Sequence, residues 1–263
     1  MNKITNFFKK LFIKSLKISA ICGLGIFTIY PLGIDKRDAQ SIKSRTNLHT
    51  SSPFPFNDFV FIGVDVDMML SGAGIGTIQS TASGIVLNTL DSTKSYIITA
   101  GHVCDPSFDQ SFRNLPGYEQ NVVVAVYDYY GFVHESTILG IDYDHDLCLL
   151  SSEDIWTDGT SVSHAIPMTG EKVYAISAPH SIFSPGNALL FDGYFTGFDD
   201  SMNAFYTIPT KPGSSGAGII SGEGSILGII HSAPAEFENL AIASSLENLK
   251  EFLSHYVLFT TSF

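Results

Sequence analysis

The 263-residue chain is short of charge, of cysteine and of tryptophan. Only 15% of its residues are charged while 44% are hydrophobic. That excludes a disordered chain, because disorder needs low hydrophobicity and high charge. Three cysteines cannot make a disulfide framework. Cys22 lies in an apolar N-terminal run, so Cys104 and Cys148 are the only pair left in the body. They read as two buried thiols, with a single bridge as the alternative. Basic residues are scarce beyond the N-terminus: residues 38–263 hold seven Lys or Arg against 25 Asp or Glu, a net charge of −18. So acidic a body repels phosphates, which excludes nucleic acid as a partner. No H-E-x-x-H or C-x-x-C spacing is present. His134, His145 and Asp142 therefore read as loop residues, and neither a metal nor a cofactor is expected.

The missing positive charge is gathered at the start of the chain. Lys3, Lys9, Lys10, Lys14 and Lys17 precede residues 18–34, a run without any charge, and Lys36 and Arg37 follow it. Seventeen apolar residues are at the short limit for a membrane span. The heavier basic flank places the N-terminus in the cytoplasm and the body outside, periplasmic or extracellular. No A-x-A pattern follows the run, so residues 1–34 read as an uncleaved signal anchor or transmembrane helix; if they are cleaved, the body is secreted. Residues 35–55, polar and ending in Pro53 and Pro55, read as a linker.

From residue 56 onward, short apolar or alternating runs are split by Gly, Asn, Asp and Pro. Strands are predicted at 59–66, 75–79, 83–89, 95–99, 121–127, 131–139 and 147–151. Further strands are predicted at 171–177, 188–197, 204–208, 217–221 and 225–231. The pattern is all-β, a barrel or a sandwich, and it lacks the alternating helices of a parallel α/β sheet. One helix stands out near the C-terminus. Ser244 and Glu247 form an S-x-x-E capping box, with Leu246, Leu249, Leu253 and Val257 at helical spacing.

Three segments carry residue types suited to nucleophilic catalysis. A hydroxyl nucleophile needs an adjacent base, and the base needs a third group to hold its tautomer. His102 ends the run Y-I-I-T-A-G-H-V, where a small-residue turn presents the imidazole. Asp146 opens D-L-C-L-L, at the mouth of an apolar strand; Asp142 and Asp144 share its face in an extended chain and rival it. Ser215 sits in K-P-G-S-S-G-A-G, where glycines permit a sharp turn, and Ser214 is its rival. Such a turn can aim the backbone N–H groups of Gly213 and Ser215 at one point, where an oxyanion would sit. Each segment alone also fits a structural role.

Taken in this order, the segments resemble the trypsin/chymotrypsin-like serine protease superfamily. T-A-G-H is similar to its T-A-[AG]-H box and D-L-C-L-L to its D-[LIV]-A-L box. P-G-S-S-G-A-G is similar to G-[DN]-S-G-G-P, closest to the P-G-N-S-G-G form of bacterial and HtrA-type members. S-G-I-V-L-N (83–88) resembles the strand before the His box, and G-S-I-L-G-I-I-H (224–231) the strand after the nucleophile. The resemblance covers about residues 56–258, and no PDZ-type module is expected after it.

It implies two six-stranded antiparallel β-barrels, about 56–152 and 160–243, and a C-terminal helix at 245–257. It implies catalysis by His102 as base, Asp146 as orienting acid and Ser215 as nucleophile, with polypeptide as the substrate. Pro209 and Thr210 fall at the base of the primary pocket, and His231, Ser232 and Ala233 along the substrate strand. Ala217, Gly218 and Cys148 depart from the family pattern, but all are small. No I-V-G-G sequence lies near residue 56, so activation by a new buried N-terminus is not expected. Glutamate-preferring relatives carry a His one residue earlier than His231, and alternation turns His231 to the other face. The uncharged pocket base points to a neutral or small side chain there. The alternatives are a catalytically silent binding domain on the same fold, and an esterase on the same triad. The sequence does not set an oligomeric state.

Overall fold

The computed structural model describes residues 53–257, apart from 92, 106–115, 154, 235 and 238. The expected anchor (1–34) and nearly all of the linker (35–55) lie outside the described residues. Among the described residues, no helix is long and apolar enough to cross a membrane.

Strands β1 (Phe59–Leu70), β2 (Ala73–Leu87), β3 (Ser95–Ala100), β4 (Tyr118–Tyr127), β5 (Val133–Asp142) and β6 (Leu147–Ser152) close the first barrel in the order β1-β2-β3-β6-β5-β4. A second closed barrel, ordered β10-β11-β12-β9-β8-β7, follows. It contains β7 (Lys172–Ser177), β8 (Leu189–Phe198), β9 (Ala204–Tyr206), β10 (Gly218–Ile220), β11 (Ile226–Ser232) and β12 (Ala241–Ala243). All the ladders within the barrels are antiparallel. A single helical turn, α1 (Gly101–Cys104), follows β3, and α2 (Leu246–Ser254) ends the fold.

The strands read as nearly continuous apolar runs because several are buried on both faces. Along β1, Val60, Ile62, Val64 and Val66 point into the first barrel with Val86, Ile97, Val126 and Leu150. Their neighbours Phe59 and Phe61 point out, into a layer with Ile85, Ile98, Leu147 and Leu149. Ile176, Ile220, Ile226 and Ile229 of the second barrel complete this layer, and α2 adds Leu246, Leu249, Phe252 and Leu253. Each such side chain contributes about 1.5–3 kcal/mol on burial, so the docking of the barrels is a core in its own right. The interior of the second barrel is separate, built on Val173, Phe195, Tyr206, Ile208, Ile219 and Ile230.

Four sequence expectations need correcting. The runs at 75–79 and 83–89 are one strand, because Ser80, Thr81 and Ala82 keep pairing with Val64, Gly63 and Ile62. β12 was not expected; it is three residues long, too short for periodicity to register. The helix cap is Ser245, whose hydroxyl accepts from Asn248 N–H at 3.2 Å, while the Ser244 hydroxyl accepts from Ile229 N–H at 3.1 Å. Finally, Cys104 and Cys148 are not free thiols but a disulfide, with Cα atoms 6.4 Å apart. Register explains it: β3 pairs with β6 so that Ala100 faces Leu147, and α1 then carries Cys104 back over β6.

Candidate active site

β3 ends at Ala100, and α1 lifts His102 to the rim of the first barrel. Asp146 reaches the same rim from the turn before β6, with φ at +52°, a left-handed conformation that aspartate tolerates better than most residues. Its carboxylate takes two hydrogen bonds from one residue. Oδ1 accepts from the His102 backbone N–H at 2.7 Å, and Oδ2 pairs with His102 Nδ1 at 2.8 Å. An ionised carboxylate only accepts, so Nδ1 carries the proton and Nε2 is the basic nitrogen. Burial pushes the Asp146 carboxyl up, but the hydrogen bonds and charge of His102 outweigh this, leaving it below the ordinary value. The rival carboxylates are engaged elsewhere or exposed. Asp142 holds the Asp144 N–H and pairs with His145 Nδ1 at 2.7 Å, and Asp144 is exposed.

The serine loop shows its purpose through its backbone hydrogen bonds, each of which needs a partner once buried. Four successive carbonyls are held. Pro212 accepts from His180 N–H at 2.6 Å and Gly213 from the Ser83 hydroxyl at 2.8 Å. Ser214 accepts from Ala217 N–H at 3.0 Å and Ser215 from Ser83 N–H at 2.8 Å. The N–H groups of Ser214 and Gly216 are also used, donating to Lys211 and Ile230. Those of Gly213 and Ser215 have no acceptor among the described residues. In a planar trans peptide the N–H points opposite the C=O, so anchoring the Pro212 carbonyl on His180 turns the Gly213 N–H away from it. Gly213 has φ of +96°, and a Cβ there would collide with the Ala178 carbonyl. Glycine is what this turn demands. The loop thus offers two unused donors, as an oxyanion site requires.

The two serines are distinguished by burial. Ser214 is 1% exposed, its hydroxyl turned toward Ser177, whereas Ser215 is only partly buried. Ser215 docks on the first barrel through Ser83, and the Ser83 carbonyl accepts from Thr99 Oγ1, three residues before His102. The three segments singled out in the sequence therefore meet where the barrels join.

The expected substrate residues lie between β9 and β10 and at the end of β11. Thr210 is buried, its hydroxyl donating to the Ile208 carbonyl at 3.2 Å, and Pro209 is half-buried beside it. Ser232 is exposed and Ala233 half-buried at the end of β11. His231 sits at a bulge between Ile230 and Ser232 and faces the acid, its Nδ1 4.0 Å from Asp146 Oδ2. His134 and His145 do not converge, since the first pairs with Asp128 and the second with Asp142, and His134 and Asp142 are not loop residues as expected but lie on β5. Among the described residues, no cluster of His, Cys, Asp or Glu could hold a metal ion.

Sequence reasoning missed the parts played by Ser83, Thr99 and His180. Ser83 lies in a segment that drew notice only as a strand, and nothing local marks His180, whose φ is +51°.

Twin antiparallel barrels with a His–Asp pair and a glycine-flanked serine at their junction define a trypsin-like serine protease fold. The chain belongs to the trypsin-like peptidase domain family, which matches residues 82–229. Among solved structures it is similar to the serine endoprotease from Yersinia pestis, at 17% identity and a TM-score of 0.56. That match covers 76% of this chain and 62% of the other, so the chain spans under two thirds of that protein. It is also similar to the inactive form of the Rv3671c protease, at 14% identity and a TM-score of 0.53, covering 84% of this chain and 95% of that one. A mutant of Rv3671c from M. tuberculosis, also inactive, matches at 15% identity and a TM-score of 0.51, over 73% and 85% of the two chains. No curated protein matches in sequence.

Proposed function

We propose that this protein is a serine endopeptidase that works through an acyl-enzyme. The observation that carries this reading is the backbone of the serine loop, with every carbonyl from Pro212 to Ser215 tied down and two N–H groups left over. Ser215 Oγ attacks the scissile carbonyl carbon, and its proton passes to His102 Nε2. The N–H groups of Gly213 and Ser215 hold the resulting oxyanion. The C–N bond then breaks as His102 returns the proton to the leaving amine. Water attacks the acyl-enzyme, giving a proton to His102, and the acid product leaves with Ser215 restored. Asp146 stays ionised throughout, which its lowered pKa favours.

Substrate lies extended along the end of β11, past His231, Ser232 and Ala233. Pro209 and Thr210 form an uncharged pocket base, suited to a neutral or small side chain. In this reading, residues 1–34 anchor the protein in a membrane, 35–55 tether it, and 56–258 form the protease domain outside the cytoplasm. Ser215→Ala is the test. It should fold normally and lose covalent labelling by a fluorophosphonate, whereas continued labelling would move the nucleophile elsewhere. Cleavage of a peptide library alongside a simple ester distinguishes a peptidase from an esterase.

A further inference from the structure

Ser83 is fully buried on β2, and all of its polar atoms are engaged. Its backbone N–H donates to Ser215 and its carbonyl accepts from Thr99 Oγ1. Its hydroxyl donates to the Gly213 carbonyl at 2.8 Å and accepts from the Ala178 N–H at 3.0 Å. A backbone N–H can only donate and a carbonyl can only accept, so the direction of both hydroxyl bonds is settled. Both hydroxyl partners belong to the second barrel, while Ser83 belongs to the first.

We propose that Ser83 is a positioning residue for the oxyanion loop, its hydroxyl reaching across the barrel junction to fix the Gly213–Ser214 peptide plane, which lies between the two planes that carry the Gly213 and Ser215 N–H groups. This rests on the serine endopeptidase reading. Gly213 has no side chain to restrain it, so the two peptide planes flanking it turn more easily than those around Ser214. Each plane is held from outside. His180 N–H holds the Pro212 carbonyl, and Ser83 holds the Gly213 carbonyl. The same hydroxyl takes the Ala178 N–H, two residues before His180. The Ser83 hydroxyl therefore holds one anchor of the loop directly and ties down the segment that supplies the other.

The test uses the full-length protein and its rate of labelling by a fluorophosphonate, with steady-state hydrolysis of a peptide and of p-nitrophenyl acetate. Ser83→Ala removes one oxygen. Labelling and kcat should fall roughly tenfold to 10²-fold, the scale of a misplaced catalytic donor. KM should stay within about twofold. The midpoint of the acid limb of the rate–pH profile should not move, because none of the Ser83 hydrogen bonds goes to His102, Asp146 or His231. Ser83→Cys keeps the shape with a weaker donor and should fall between the two. It also serves as the test variant if Ser83→Ala fails to fold. Wild-type rates in either variant, a loss confined to KM, or a shifted acid limb would each overturn the proposal. A wild-type protein that takes no label would instead overturn the protease reading, whereas equal labelling of wild type and Ser83→Ala overturns this inference alone.

Discussion

His231 Nδ1 lies 4.0 Å from Asp146 Oδ2, the same oxygen that pairs with His102 Nδ1 at 2.8 Å. Two imidazoles therefore flank one carboxylate. The charged and titratable groups acting on His231 are Asp146, His102 and Asp199. Burial lowers the His231 pKa below the ordinary 6.5, against the pull of Asp146. Its Nε2 is buried with no partner among the described residues.

That arrangement makes stability depend on pH. Below 6.5 the unfolded chain takes a proton at His231 that the folded protein resists, so stability falls as pH drops toward the lowered folded value. Asp146, also lowered, adds a second loss as pH falls below its ordinary 3.8. His231→Asn cannot titrate and leaves no unpartnered imidazole nitrogen. Thermal melts at about pH 7.5 and about pH 5 should show a smaller drop in Tm for this variant than for wild type. Equal drops would remove His231 from the account.

Asp146→Asn should leave the fold intact and lower kcat about 10⁴-fold near neutral pH, because an amide no longer selects the Nδ1–H tautomer. Ester hydrolysis measures it. A loss smaller than tenfold would mean that another group orients His102.

The Cys104–Cys148 bridge closes a loop of 44 residues and joins positions two past His102 and two past Asp146. The chain-entropy relation gives about 4 kcal/mol for a loop of this length. Denaturant titration of the double alanine variant should show a loss of that order, and a loss under about 1 kcal/mol would mean that packing alone holds the two segments together.

Gly216 has φ of +84°, and a Cβ there would run into Thr99 Oγ1 and the Ser83 carbonyl. Gly170 has φ of +86° with nothing near its would-be Cβ. Gly170→Ala should cost only the backbone strain, about 1 kcal/mol. Gly216→Ala should cost at least about 2–4 kcal/mol and displace the serine loop. Matching stabilities would refute the close approach of the loop to β2.

Much of the architecture was legible in local pattern. β3, β6, β7 and β11 lie within a residue or two of their predicted runs, because β-branched runs bounded by turn residues leave few other readings. Errors fell where local signals tie. Ser244 and Ser245 are adjacent and both suited to capping, and only the hydrogen bond from the Ile229 N–H to its hydroxyl commits the first to β11. The small residues Ser80, Thr81 and Ala82 looked like a break, yet the ladder with β1 carries through them. The cysteines looked apolar because each is buried, and a bridge buries a sulfur as well as a thiol does.

By itself the sequence determined which segments could carry chemistry, since a small-residue turn around His102 or Ser215 is encoded within a few neighbouring positions. It also determined the β-rich class and the acidic body. Only the tertiary structure decided which aspartate meets His102, which serine turns outward, that Cys104 finds Cys148, and that Ser83 grips Gly213 across 130 residues of chain. Those outcomes are distances between remote segments, set by strand register and by the docking of two barrels, and no local pattern of residues specifies them.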